Sequence, residues 1–312
     1  MISRIWERAA TCLVASLVAA GAARGQSTII LKNAFIEQNK NRVTLDATYT
    51  IDHAHKKPNP VGQGAADGDL HFAGRSADVG LPLVAEIINA ALAQQQSAVK
   101  FVHQQEGANT TVPLKGVWRI WFEHPPAGHG TQVQGSPVPV PQNTNPDHVF
   151  EFHPVVQVGA NSVVSSFVPI PQYQAYDAAT AFGSYESLTA TIQANATATQ
   201  IQSKKAGYNY AEFFIVLQGA PLKVDDGFLV LATVQDREGT DVTSAARRMV
   251  FLAGTPAAAA VQNLSAGDTM HVMGIPRLNL ERISFAMTAS GGRSVSVPLP
   301  YEMIIVGAFP NP

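Results

Sequence analysis

The chain has 312 residues, a formal net charge of −2, one cysteine and 14 % charged residues. Losing Arg4, Arg8, Arg24 and Glu7 with the first twenty-five positions would make the remainder about two units more acidic. Proteins that grip polyanions through bulk electrostatics are basic, so this balance excludes generic nucleic-acid binding.

Residues 1–25 have the three parts of a secretory signal: Arg4 and Arg8, an apolar stretch over 9–20, and the small-residue exit Ala23-Arg24-Gly25. An exported protein, periplasmic or extracellular, is expected. The apolar stretch is too short to span a bilayer, and no other run approaches ~20 apolar residues, so no transmembrane segment is predicted in the mature chain. Cys12 lies within the signal, which leaves no disulfide or thiolate metal site after cleavage. The ~290 residues that follow predict two domains at roughly 100–200 residues each.

Along the chain, residues 28–31, 43–49 and 69–73 alternate apolar with polar, and 81–88 is nearly continuously apolar. Both patterns predict strands. The Ala-, Gln- and Leu-rich stretch 85–103 predicts a helix in its second part, and strands follow at 117–122 and 149–158. Counted from 43–49, three strands, a helix and two strands is the order of the OB fold, a five-stranded Greek-key barrel with its helix between the third and fourth strands. Long loops at 56–68 and 125–146, rich in Gly, Pro, Asn and Gln, flank these strands, and loops of that length in a compact domain are functional or disordered.

Residues 169–174 read as a connection, followed by a short helix through Phe182. The pattern then repeats: strands at 210–218 and 227–235 around the turn Asp225-Asp226-Gly227, a strand at 248–253, an Ala-rich helix over 256–264, and strands at 268–275 and 301–308. Residues 187–203 also alternate and add a strand or two. The prediction is a mainly β protein of two tandem OB-like five-stranded barrels, each with a helix between strands 3 and 4, over 26–168 and 169–312.

Eight of the nine histidines fall between His53 and His153. In Asp67-Gly68-Asp69-Leu70-His71, Asp69 and His71 share one face of a strand while Leu70 and Phe72 take the other. Glu151 and His153 repeat this in Phe150-Glu151-Phe152-His153-Pro154. Glu86 is a lone carboxylate in an apolar strand, costly to bury unless paired. In an OB barrel these are the second, third and fifth strands, which are neighbours. The five side chains are therefore expected on one patch of the sheet's outer surface, as a ligand patch, a site for a divalent cation, or an acid/base pair. Cross-strand ion pairs that fix register are the plain alternative.

The same stretches, with Val84-Ala85-Glu86-Ile87, Glu123-His124-Pro125 and Phe150-Glu151-Phe152-His153-Pro154-Val155, resemble a group of uncharacterised secreted bacterial proteins. That group shares Asp-x-Asp-x-His, Ala-Glu-Ile and Glu-Ile-His-Pro-Val motifs, with Phe152 here replacing an aliphatic residue. The resemblance spans residues 67–156. It implies that Asp69, His71, Glu86, Glu151 and His153 belong together, but it brings no activity.

Asp67 is a further candidate, and His124 and His129 can complete a site from its rim. Trp118 and Trp121 lie on opposite strand faces, so one is core and the other, Trp121, is free to stack on a sugar or base. His53 and His55, followed by Lys56 and Lys57, read as a solvated strand end, and His271 as a packed histidine. No Gly-x-Ser-x-Gly elbow, His-Glu-x-x-His helix, Walker loop or dinucleotide fingerprint is present.

The leading functional expectation is a secreted protein binding an extracellular oligosaccharide, peptide or oligonucleotide across the first barrel. The alternatives are a metal-assisted hydrolase of phosphodiesters or glycans, using His71, His153 and Glu86 or Glu151, and a structural envelope protein without a site.

Overall fold

The computed structural model describes residues 25–126 and 130–310. The residues before Gly25, where a secretory signal is expected, and His129 lie outside the described residues. In chain order the first half contains β1 (Gln26–Lys32), α1 (Asn33–Asn39), β2 (Thr44–Ala54), β3 (Leu70–Arg75), β4 (Leu83–Ile87), α2 (Gln96–Gln105), β5 (Thr111–His124), β6 (Thr131–Val133), β7 (His148–Val158) and β8 (Asn161–Ser162). A connecting stretch follows with β9 (Tyr176–Asp177), α3 (Ala178–Glu186), β10 (Thr189–Ala194) and β11 (Ala198–Lys204). The second half has β12 (Ala211–Leu217), β13 (Leu222–Val224), β14 (Gly227–Gln235), β15 (Arg247–Leu252), α4 (Pro256–Val261), β16 (Thr269–Leu278), α5 (Leu280–Ser290), β17 (Val295–Pro298) and β18 (Tyr301–Ala308).

Two five-stranded barrels close. In the first, β2 pairs with β3 and β3 with β4, antiparallel; β4 pairs with β7 in parallel; and β5 joins β7 back to β2. In the second, β12, β14 and β15 form the antiparallel run, β15 pairs with β18 in parallel, and β16 joins β18 back to β12. Both have the OB connectivity, with α2 and α4 between the third and fourth strands.

Closure follows from alternation. Leu70 and Phe72, Ala85 and Ile87, and Phe150 and Phe152 belong to the main buried apolar cluster, which leaves the residues between them facing out of the barrel. At Gly74 the strands come so close that an added Cβ would sit 2.0 Å from the carbonyl oxygen of Thr50. Only glycine allows that approach. Helix α4 starts where its sequence signals it, with Thr255 accepting from the Ala258 amide and Pro256 in the first turn.

A third sheet, in the order β17-β10-β11-β1-β6, was not anticipated as a unit. Residues 28–31 belong to this sheet rather than to the first barrel, and 187–203 supply its two central hairpin strands. It also takes β6 from the long 125–146 loop and β17 from the segment between α5 and β18.

The two barrels meet through matched positions. Arg119 on β5 lies opposite Glu151 on β7, and Arg277 on β16 lies opposite Glu302 on β18. Each is the fourth strand of its barrel facing the fifth. Apolar side chains from both barrels, including Val117, Val156, Tyr210, Leu229, Val250 and Ile304, form a second buried cluster between them.

Candidate functional site

The outward positions of β3, β4 and β7 bring the predicted residues together. His71 pairs with Glu86 across β3 and β4, and Val84 with Glu151 across β4 and β7. Glu86 therefore stands between His71 on one side and Glu151 with His153 on the other. Two groups of donor atoms result, Asp69–His71–Glu86 and Glu86–Glu151–His153, each with its atoms within 4.8 Å of one another. Glu86 belongs to both.

In the first group, His71 Nε2 lies 2.7 Å from Asp69 Oδ2 and 3.2 Å from Glu86 Oε1. Asp69 Oδ2 is thus held by its ion pair with His71, whereas the buried His71 Nδ1 has no hydrogen-bond partner among the described residues. Metal–ligand bonds of ~2.0–2.2 Å set tetrahedral ligand atoms roughly 3.3–3.6 Å apart, near the 3.2 Å between His71 Nε2 and Glu86 Oε1, so a small outward shift of Asp69 would open the group around one ion. The other oxygen of Asp69 is held by Asn59 Nδ2 at 2.8 Å, an arrangement that fixes a ligand's orientation.

The second group is a supporting network. His153 Nδ1 is 2.8 Å from Glu86 Oε2 and 3.3 Å from Glu151 Oε2, and His153 Nε2 is 2.6 Å from the Tyr210 hydroxyl. Glu151 also receives Arg119 and, at 3.1 Å, His148 Nε2. Arg119 spends its remaining donors on Glu123 at 3.0 Å, Asn209 Oδ1 at 2.6 Å and the Pro276 carbonyl at 2.9 Å. Guanidinium pairing makes this half unsuited to a cation of its own.

Charge explains the protonation states. Asp67, Asp69, Glu86, Glu123 and Glu151 face one arginine, so the cluster demands protons or another cation. Burial alone would lower His153, but the charge of Glu86 and the bonds to Glu151 and Glu86 outweigh it and lift it to about 10. His71 likewise rises well above its ordinary value despite burial, through Glu86 and Asp69. Burial opposes ionisation of Glu151, yet Arg119 holds it well below the usual carboxylate range. Asp67, desolvated and beside Asp69, is pushed up to about 9. A divalent cation would meet the same demand.

The expected open patch is corrected by the fold. Asp69, Glu86, Glu151 and His153 are all buried: Tyr210 lies against His153, Asn59 of the 56–68 loop against Asp69, and Arg119 against Glu151. A pocket of about 330 Å³ leads in, and of the five residues only His71 and Glu86 reach its lining, with Asp67 beside them. His124 lines the same pocket and rests on His148, ring centroids 5.1 Å apart. Trp121 does not belong to the site. It is 1 % exposed and packs edge-on against Tyr185 and Tyr301. Trp118 is buried too, beneath the Arg277 guanidinium at 3.6 Å from its ring centre.

Several site residues escape sequence reasoning. His55 lines the pocket and stacks on His71 at 5.1 Å rather than ending a solvated strand. Arg119, Asn209, Tyr208 and Tyr210 gave no signal, since one arginine between Trp118 and Ile120 reads as any strand residue. Glu86, whose isolation in an apolar strand called for a partner, has several. His271 is packed as expected, between Phe214 and Phe309.

The second barrel provides an internal comparison. Aligned through the strand registers with Glu151 on Glu302, the places of Asp69, His71, Glu86 and His153 are taken by Gly227, Leu229, Val250 and Ile304. The Arg–Glu pair is common to both barrels, whereas the Asp/His/Glu group belongs to the first alone. Among the described residues no helix is long and apolar enough to cross a membrane. Compared with known protein families and with curated proteins, the chain matches none.

Proposed function

We propose that this chain is an exported protein that binds one divalent cation through Asp69, His71 and Glu86 and a small polar ligand in the pocket above them. The observation that carries the reading is the Asp69–His71–Glu86 group itself. Its donor atoms share a 4.8 Å neighbourhood, and two of its three members face the pocket. Mixed carboxylate and imidazole ligands suit Mn²⁺, Zn²⁺ or Co²⁺ better than Ca²⁺ or Mg²⁺. The exported setting rests on the sequence of the first twenty-five residues.

Equilibrium dialysis of the full chain against each metal, with elemental analysis, tests this. One ion per chain is expected, and His71→Ala should abolish binding. At a free metal concentration of ~100 times Kd the ion should add about 2.7 kcal/mol of stability. Absence of stoichiometric binding for every metal would end the reading.

Metal-assisted hydrolysis is the second reading, favoured by Glu123 and His124 on the lining of the same pocket, with Glu123 Oε1 3.6 Å from His124 Nε2. Such a pair can move a proton beside an ion-activated water. It predicts metal-dependent cleavage of a model glycoside or phosphodiester that His124→Ala removes while metal binding persists.

A further inference from the structure

We infer that the ligand of this pocket is a neutral polyhydroxylated molecule, a saccharide, rather than a phosphorylated or otherwise anionic one; the inference rests on the metal-and-ligand reading above and names the ligand class. The lining offers carboxylate oxygens on Glu86 and Glu123 and the amide of Asn145, with the amides of Asn59 and Asn209 beside them, each already sharing a hydrogen bond with Asp69 or with Glu123 and Arg119. Carboxylates only accept and amides both donate and accept when bonding to hydroxyls, the mixture a ring of vicinal alcohols can satisfy.

An anion would find the opposite. No lysine or arginine lines the pocket among the described residues. The Arg119 guanidinium, which reaches Glu123 and Asn209 of the lining from behind, is fully buried and bonded to Glu151, Glu123, Asn209 and the Pro276 carbonyl. The imidazoles of His71 and His124 on the lining already face carboxylates, His71 Nε2 at 2.7 Å from Asp69 and 3.2 Å from Glu86, and His124 Nε2 at 3.6 Å from Glu123. Phosphate recognition otherwise relies on arginine forks, lysines or open backbone amides.

Two tyrosines complete the match. Tyr176 and Tyr208 both line the pocket, their rings perpendicular with centroids 4.8 Å apart. Tyr208 sits at a φ of +62°, a region a bulky side chain rarely occupies. It is held there in part by the Tyr185 hydroxyl, which donates to its carbonyl. Amphipathic aromatic rings of this kind serve the apolar face of a sugar ring while their hydroxyls stay wet. The volume of about 330 Å³ lies at the small end of ligand pockets, roughly 300–1,000 Å³, and suits one or two sugar rings.

The test is isothermal titration of the full chain, with and without Mn²⁺, against a panel of neutral monosaccharides and disaccharides, their 6-phosphates, and a thymidine dinucleotide. At least one neutral sugar is expected to bind at least tenfold more tightly than its phosphate and than the dinucleotide. Tyr208→Ala and, on the loop, Asn145→Ala should each weaken that sugar at least tenfold while leaving the Mn²⁺ affinity unchanged. A phosphorylated compound binding more tightly than its neutral parent, or Mn²⁺ binding with no sugar in the panel bound, overturns the inference and leaves the metal reading standing. Sugar binding in a chain that takes no metal sinks the metal reading alone, and failure of both sinks both.

Discussion

Arg119 and Arg277 reach across the barrel interface in opposite directions: Arg119 Nε donates to the carbonyl of Pro276 at 2.9 Å, and Arg277 Nη1 donates to the carbonyl of Trp118 at 3.0 Å. Each arginine caps the residue that precedes the other on the fourth strand of the opposite barrel, and each is paired with a glutamate on the fifth strand of its own. The barrels are thus joined by a reciprocal lock of buried charges, and the candidate site lies beside its first half.

The second half of the lock can be broken without touching the site. Arg277 is fully buried, and burial pulls its guanidinium down to about 10 even with Glu302 opposite. Glu302 also holds Arg248, so Glu302→Gln leaves two guanidiniums short of their shared carboxylate. A loss of about 3–5 kcal/mol is expected for removing one partner of a buried pair. Urea unfolding measures it, and a loss under 1 kcal/mol would mean the lock contributes little.

Asp226 ties the second barrel to the start of β2 and gives the chain an acid limb. It accepts from the Val43 amide at 3.1 Å and from the Thr44 amide and hydroxyl, both at 2.8 Å. Burial opposes its charge, but these bonds and Arg42 outweigh it and hold its pKa low. With the folded value depressed, its stabilisation is complete above the unfolded value of about 3.9 and is lost as pH falls through the folded one. Asp226→Asn is expected to cost about 1.5–3 kcal/mol at pH 7, with the difference from the parent narrowing below about pH 4. Unfolding curves from pH 7 to pH 2.5 check this, and a constant difference would contradict it.

Tyr210 carries the second half of the chain into the site. Its hydroxyl meets His153 Nε2 while His153 Nδ1 faces Glu86, so the tyrosine orients the imidazole that orients a proposed metal ligand. Tyr210→Phe keeps the ring packed against Tyr173 and removes only the oxygen. Outer-ligand changes of this type weaken metal binding roughly 10- to 100-fold, against a stability loss of about 1 kcal/mol. An unchanged Mn²⁺ affinity would make Tyr210 a packing residue only.

Much of the first barrel could be read from single stretches. Leu70 with Phe72 and Phe150 with Phe152 mark the inward face, which put Asp69, His71, Glu151 and His153 on the outward one, and the element order gave the strand adjacency. Trp121 was misjudged for the same reason: alternation separates the faces of a strand but does not say whether the outward face is covered. His55 was misjudged because Lys56 and Lys57 suggested solvent, while the chain turns after β2 and lays the imidazole on His71.

By itself the sequence determined which side chains share a strand face and which strands neighbour one another, because a period of two and the length of the connections act over a few residues at a time. Only the tertiary structure decided that the outward face of the first barrel is enclosed. That outcome depends on partners distant in the chain, Tyr210 from His153 by 57 residues and Pro276 from Arg119 by 157. Such contacts are set by how two closed barrels dock, and no local pattern encodes them.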